Sequence, residues 1–483
     1  MSGIRGGMET DGRFMELPSR EQAPLYGCSL REMVAREQEL VALDELMDEL
    51  AVGVLEARYR RVGHPAYPVR MMLKAILYGS LRGIRSSRQL EEACRLHLGF
   101  RYLTHGMEPD HQAFCRFRRR HQDDLEQVFT QTVVLCAEAG LVGMSEVAVD
   151  GSKVRANRSP ETLQRIRKYW REQLAAAEQA DVADGLAADT EGEVREQVQA
   201  EQGEECQFMG QQPRVEPGYN AQVAVDGKHQ VIVGMDLVTS AVDHGQLAPL
   251  VEQVVENTGQ VPERVLADGG YWRQECVEQV GALGAAVHMP VPPNMQTSEG
   301  FVWVAEQGAY RCPAGHWLRA YRQRQGKQIY RTSRCRGCAH ASRCGVTGRF
   351  KEKSMLDPTG ATAQLQRRMQ TEAGRAVYAR RKQIVEPVWG WMKFNRHFAR
   401  FLLRGRRGAK AELAFMCIIH NLVRLLAVAG MGPDGRGGAS CPRRLALTAL
   451  SAAARLRGAM HTLLGSLRDA LAGQHRLASL QAA

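Results

Sequence analysis

No stretch of this 483-residue chain offers the roughly 18 consecutive apolar residues that a membrane-spanning helix needs. The opening segment, MSGIRGGMETDGRFMELPSREQ, likewise lacks the apolar core of a secretory signal. The chain is therefore expected in the cytoplasm, away from membranes. There its twelve cysteines are reduced thiols or metal ligands rather than disulfides. Internal repeats are also absent. Acidic residues are outnumbered, 53 against 64 basic ones, which leaves a formal net charge of +11 and a pI near 9.2. Such a surplus points to a polyanion, because basic chains are drawn to phosphate backbones; acidic substrates and anionic membrane surfaces are weaker readings. Hydrophobic content of 44% is ordinary for a soluble globular protein, and the length implies about three domains at roughly 150 residues each.

Residues 1–27 read as a flexible lead-in. Helical patterning begins at a capping box, Ser29 with Glu32 in SLRE, ahead of MVAREQELVALDELMDELAV. A second helix, YPVRMMLKAILYGSLRG, is started by Pro68 and stopped near Gly83. A third, SSRQLEEACRLHLGF, has Ser86 or Ser87 as N-cap, and a fourth runs from Asp110 to Gly140 in DHQAFCRFRRRHQDDLEQVFTQTVVLCAEAG. Residues 28–142 are thus expected to be a helical domain. Strand-like alternation starts at EVAVDGSKVRA (146–156). YNAQVAVDG and HQVIVGMDLVTS follow as a hairpin about Asp226-Gly227. Helix HGQLAPLVEQVVENTG, strand RVLADGG, helix QECVEQVGALG and strand AAVHMPVP complete an α/β pattern with a mixed sheet over 143–296. Within it, polar residues 160–206 read as an exposed helical insert. Residues 297–369 form a Cys-containing insertion, 370–428 return to the core, and 429–483 read as a basic helical tail.

Three acids stand out. Asp150 ends an apolar strand and meets Gly151; Asp268 ends VLAD and meets Gly269-Gly270. A carboxylate at a strand tip beside glycines suits a hard cation such as Mg²⁺, although each Asp alone equally fits a strand-to-loop turn. Glu386 opens VEPVWGWMKFNRHFARFLLRG, where Pro387 fits the first turn of a helix, or a kink if the helix begins earlier. Glu386, Lys393 and Arg400 recur every seven residues, and Arg396 lies beside that stripe. The pattern reads either as a metal ligand followed by contacts to a phosphate backbone or as a solvated basic face.

With these acids in place the chain resembles a DDE transposase of bacterial insertion sequences. HPAYPVRMMLKAILYGSLRGIRSSRQLEEACR and PDHQAFCRFR look like the helical amino-terminal domain of one such group. VAVDGSKVRAN, GYNAQVAVD with VTSAVDHGQLAPLV, and VLADGGY follow in the expected order. The last motif of that superfamily spaces Tyr, Arg, Glu and Lys; Glu386 and Lys393 keep its final interval, while Tyr378 and Arg381 stand one position early. The resemblance implies a ribonuclease H-like mixed sheet and Asp150, Asp268 and Glu386 as catalytic ligands of two Mg²⁺ ions, with Mn²⁺ as a substitute. It also implies double-stranded DNA (element ends and target) as substrate, and a homodimer, since two ends must be brought together. The alternatives are a repurposed DNA-binding protein with an inactive core and a metal-dependent nuclease of the same fold.

Two further features carry chemistry. Cys312, Cys335, Cys338 and Cys344 combine one Cys-x-x-Cys with two outlying thiols, a set that can hold a structural Zn²⁺ with His316 or His340 as substitutes; unrelated thiols are the other reading. Arg116, Arg118, Arg119 and Arg120 crowd one and a half turns of a helix and suit DNA contact, or a solvated basic face, and Arg381 is assigned to DNA as well.

Overall fold

The computed structural model describes residues 13–21, 27–60, 64–184, 190–211, 214–292, 301–324, 327–341, 344, 351–355 and 360–428. Parts of the expected lead-in (1–12 and 22–26) and the whole expected tail (429–483) lie outside the described residues. The chain divides into two compact units: Met1–Gly143 with Gly151–Ala241 and Val388–Ala483, and Met144–Asp150 with Val242–Pro387.

Among its described residues the first unit opens with eight helices: α1 (Leu30–Met33), α2 (Gln38–Asp48), α3 (Gly53–Glu56), α4 (Val69–Arg82), α5 (Ser87–Leu96), α6 (Leu98–Leu103), α7 (His111–Arg120) and α8 (Leu125–Glu138). The capping box is present, Ser29 N–H donating to Glu32 Oε2 at 2.6 Å while Ser29 Oγ accepts from Glu32 N–H. Pro68 precedes α4, and Gly83, at φ 72°, ends it in the left-handed conformation that glycine tolerates. The other expected helices are broken. Extended backbone at His97 separates α5 from α6. Between α7 and α8, buried His121 and Asp124 leave the helix, with Arg58 donating to both carboxylate oxygens of Asp124 at 3.0 and 2.7 Å. Tertiary pairing there overrides helix propensity.

β1 (Val147–Arg155) leads into helices α9 (Pro160–Asp184) and α10 (Thr190–Glu204), the expected helical insert, and then into β2 (Gln207–Gln211), β3 (Arg214–Asp226) and β4 (Ile232–Val238). β3 pairs antiparallel with both β2 and β4. Asp226 N–H donates to Val231 O and Gln230 N–H to Asp226 O, so the hairpin closes over four residues rather than two. Gln230, at φ 57°, takes the left-handed position expected of the glycine.

In the second unit the first half of β1 leads a parallel set with β5 (Arg264–Leu266) and β6 (Ala286–His288), connected through α11 (Leu247–Thr258) and α12 (Gln274–Ala282). Hydrogen bonding orders the mixed sheet β2-β3-β1-β5-β6, with β4 also on β3. Among the described residues five antiparallel strands follow: β7 (Val302–Val304), β8 (Ala309–Arg311), β9 (Trp317–Arg324), β10 (Lys327–Thr332) and β11 (Lys351–Met355). Their core is Phe301, Tyr310, Leu318 and Tyr330. α13 (Ala361–Gln370), α14 (Glu372–Gly390) and α15 (Gly405–Val428) are the last of the described elements.

α15 is long and apolar enough to cross a membrane, but 83% of its most apolar window is buried inside the protein. It is apolar nearly all round because it packs on α8, α4, α2 and β4 within the first unit. One buried ion pair fastens it. Arg85 donates to Glu412 at 2.6 Å and to the carbonyls of His397 (3.0 Å) and Arg400 (2.9 Å), while Glu412 accepts the Leu402 and Leu403 N–H groups. Arg118 in turn donates to Arg85 O at 2.7 Å. Removing the carboxylate strands a buried guanidinium and two N–H donors. Glu412→Ala is expected to lower the unfolding free energy by about 3–5 kcal/mol, read by urea titration; a loss under about 1 kcal/mol would show that water replaces the pair.

Candidate active site

Val147 stands opposite Val265 and Ala148 opposite Leu266 in the β1–β5 ladder. Each acid follows three buried apolar residues, Val147–Val149 and Val265–Ala267. Carrying the register two residues on sets Asp150 level with Asp268, which lies just past the end of β5; the strand expected to end at Asp150 instead runs on to Arg155, so Asp150 stands within β1. Asp268 caps the short turn Gly269–Tyr271, its Oδ1 accepting the Gly270 N–H at 2.7 Å.

Gly270 is there for space. A Cβ on it would sit 2.9 Å from Asp268 Oδ1 and 3.4 Å from Asp243 Oδ2, so both carboxylates converge on the gap that the missing side chain leaves. Asp243, just ahead of α11, is the acid that sequence reasoning missed. Its one signal was its place in VTSAVDHG, where an Asp before a helix reads as a cap.

Burial pushes the Asp150 carboxyl up to about 6; Arg381 opposes the shift, and Asp268 and Asp243 add to it. Arg381 Nη1 donates to Asp150 Oδ1 at 3.1 Å, both side chains being largely buried. Its neighbour Arg380 donates to Glu146 Oε1 at 3.0 Å, and Arg264 reaches the same oxygen at 3.1 Å. Beneath them Tyr271 is fully buried, and burial with Asp243, Asp150 and Asp268 holds its phenol well above the ordinary range, hence neutral.

Glu386 is placed differently from the sequence reading. α14 begins fourteen residues before it, and Pro387 lies inside that helix, so the kink alternative holds. A π-helical turn, Trp391–Asn395, follows, and the helix ends there. Arg400 is therefore not on a helical stripe with Glu386 and Lys393; it sits in an isolated bridge with Arg155. Glu386 is exposed. Five residues beyond Arg381, it stands about 140° round the helix from the side chain that meets Asp150. Among the described residues no group of three or more His, Cys, Asp or Glu is arranged to hold a metal ion.

The basic residues also divide. Arg118 is buried and donates to Arg85 O, so it serves the fold, whereas Arg116 and Arg119 are exposed. Lys393 Nζ donates to Lys153 O at 3.2 Å, Arg396 lies 4.9 Å from the Trp391 ring centre, and exposed Arg400 donates to Asn157 Oδ1 at 3.3 Å. Cys312, Cys335, Cys338 and Cys344 line one small cavity with His316, whose N–H donates to Cys312 Sγ at 3.2 Å; His340 does not line it.

These features define a class: a basic protein with a helical amino-terminal region and a mixed α/β core that brings the carboxylates of Asp150, Asp268 and Asp243 near one another. Residues 28–120 match the family model described as a transposase domain (DUF772), and residues 311–426 match the transposase DDE domain. The chain is a DDE-family transposase, with the transposase and DNA-binding function of that family in general. Glu386 falls inside the second match, and Asp150 and Asp268 precede it. No curated protein matches the sequence.

The Asp150 shift fixes a pH dependence. Its folded value near 6 lies above the ordinary 3.8, so the folded state is not penalised below pH 3.8 and loses stability as pH rises through 6. The full cost above that pH is up to about 3 kcal/mol. Asp150→Asn cannot ionise, and in EDTA it is expected to be more stable than the parent at pH 7.5, the gap closing between pH 6 and 4. Urea unfolding at both ends of that range checks it; equal stability at pH 7.5 would mean that Arg381 fully offsets the burial.

Proposed function

We propose that the protein is an active transposase that binds the terminal inverted repeats of an insertion sequence, cuts DNA and transfers the strand, on a ribonuclease H-like core. The observation that carries this reading is Asp150 on β1 standing level with Asp268 just past the end of β5, with Asp243 converging on the space at Gly270. The donor set fits a hard divalent cation in kind: carboxylate oxygens around a gap that a side chain would fill. Asp150 and Asp268 would hold Mg²⁺, or Mn²⁺ in its place, with Glu386 as the third ligand. When bound, such ions supply the Lewis acidity for in-line phosphoryl transfer.

The chain's own residues do the rest. Arg381 balances the charge of Asp150 and orients its carboxylate. Arg380 holds α14, and with it Glu386, through Glu146. Fully buried Tyr271 stays neutral and adds no charge to the site. Lys393, Arg396, Arg400, Arg116 and Arg119 are assigned to DNA. Two DNA ends must meet, so the working form is a homodimer, and the protein acts in the cytoplasm. Zn²⁺ fits the four thiols in kind, joining the β8–β9 turn at Cys312 to the segment Cys335–Cys344 as a structural staple.

A second reading, a DNA-binding protein with an inactive core, is favoured by the exposed Glu386 standing apart from the aspartates. One experiment separates the two: incubation with Mg²⁺ and a plasmid carrying the gene's native flanks. Strand breaks at defined flank positions are expected from the parent. Asp268→Asn and Glu386→Gln should each lose more than the roughly 10–100-fold that outer-shell changes cost, while still binding the flanks. Binding by the parent without cutting supports the inactive core. The staple is tested apart from activity: metal analysis should find one Zn per chain, absent when Cys335 and Cys338 are both changed to Ser, with a lower Tm. Zinc-free parent protein of unchanged Tm would remove it.

A further inference from the structure

A cleft of about 750 Å³ opens in the amino-terminal helical region, within the range of roughly 300–1,000 Å³ typical of small-molecule sites. Among the described residues, five arginines and one carboxylate line it. The carboxylate, Asp110, is already engaged: it caps α7 by accepting the Ala113 N–H at 2.6 Å and lies 3.9 Å from Arg116. Arg58 is held by Asp124, and Arg120 lies 4.4 Å from the Tyr59 ring centre. Arg60 and Arg116 are exposed at the cleft, and half-buried Tyr67 lines the wall beside them.

α7 thus splits its cations by direction. Arg116 and Arg120, four apart, face the cleft; exposed Arg119 does not line it, and Arg118 is buried. A duplex backbone meets protruding cations such as Arg119. A concave site with cations and an aromatic wall instead suits a nucleotide that has left the stack, because the phosphate takes the charge and the planar base takes the ring. The volume exceeds what a phosphate alone would need.

We propose that this cleft seats one unpaired nucleotide of the element-end DNA, its phosphate between Arg60 and Arg116 and its base against Tyr67. The identity of the DNA rests on the transposase reading; the chemistry of the cleft does not.

The test is fluorescence anisotropy with the full chain in EDTA, over a range of NaCl. The probes are an element-end duplex, blunt or with a two-nucleotide single-stranded overhang. Changing Arg60 and Arg116 together to Ala should make the slope of log K against log[NaCl] shallower by about two for the overhang probe. Tyr67→Ala should weaken the overhang probe about tenfold and leave the blunt one unchanged, and Tyr67→Phe should retain binding. Arg119→Ala should leave the overhang preference intact. A mononucleotide should compete better than inorganic phosphate. Equal competition by the two, or equal losses from Arg116→Ala and Arg119→Ala on both probes, overturns the cleft. Unchanged Tm keeps misfolding out of the comparison. Cleavage in Mg²⁺ is scored separately, so a failed cleft leaves the transposase standing, whereas a parent that cuts no flanking DNA but keeps the overhang preference leaves the cleft standing without it.

Discussion

Two neighbouring arginines on α14 hold the carboxylate site together. Arg380 and Arg381 reach in different directions and take acids four residues apart, Glu146 just before β1 and Asp150 within it, roughly 13 Å apart along extended backbone. Glu146 is almost fully buried and shared with Arg264 of β5, so one carboxylate binds the helix to one strand and its neighbour. An ion pair of this kind adds little net stability, because desolvation offsets most of the attraction. Its effect is on register. Sliding α14 along β1 would break the Arg380 contact to Glu146 and the Arg381 contact to Asp150 together.

That register explains the electrostatics around Asp150. Asp150, Asp268 and Asp243 bring three carboxyl groups to one region, and the cation that touches Asp150 there is Arg381. Burial alone disfavours ionisation, and the two neighbouring acids disfavour it further, so the Asp150 carboxyl rises despite the arginine. A site so under-neutralised is costly for a purely structural turn. It is what a fold must accept if those oxygens are to meet a cation that is not part of the chain.

The strand-borne part of the site was legible in sequence because its signals are local. Three apolar residues, an Asp and a glycine announce a buried strand and its exit; β5 ends as that pattern implies, whereas β1 runs on past Asp150 to Arg155 because pairing, not the glycine, sets its end. What failed depended on distance. Pro387 looked like a helix start, since nothing nearby says that α14 already spans fourteen residues before Glu386. The π-helical turn at Trp391–Asn395 has no pattern of its own, so a seven-residue repeat was carried past the helix end. Arg118 looked like its neighbours because arginine is rarely buried. Its partners, the Arg85 carbonyl and the Ser87 hydroxyl, come from the start of another helix. Arg381 went the other way: out of step with the expected motif spacing, it is nonetheless the side chain that reaches Asp150.

These placements change what the net charge means. A surplus of eleven cations invites the picture of a uniformly basic DNA-binding surface, yet several of the arginines do not face solvent. Arg85 and Arg118 are spent fastening α15 and the loop before α5, and Arg381 on Asp150. Their charge still raises the potential around the protein and hastens encounter with a polyanion. Arg85 and Arg118, buried within the fold, release no counterions from DNA. The salt dependence of binding should therefore track the few exposed cations that face one strand, and the formal charge is a guide to how fast the chain finds DNA rather than to how tightly it holds it.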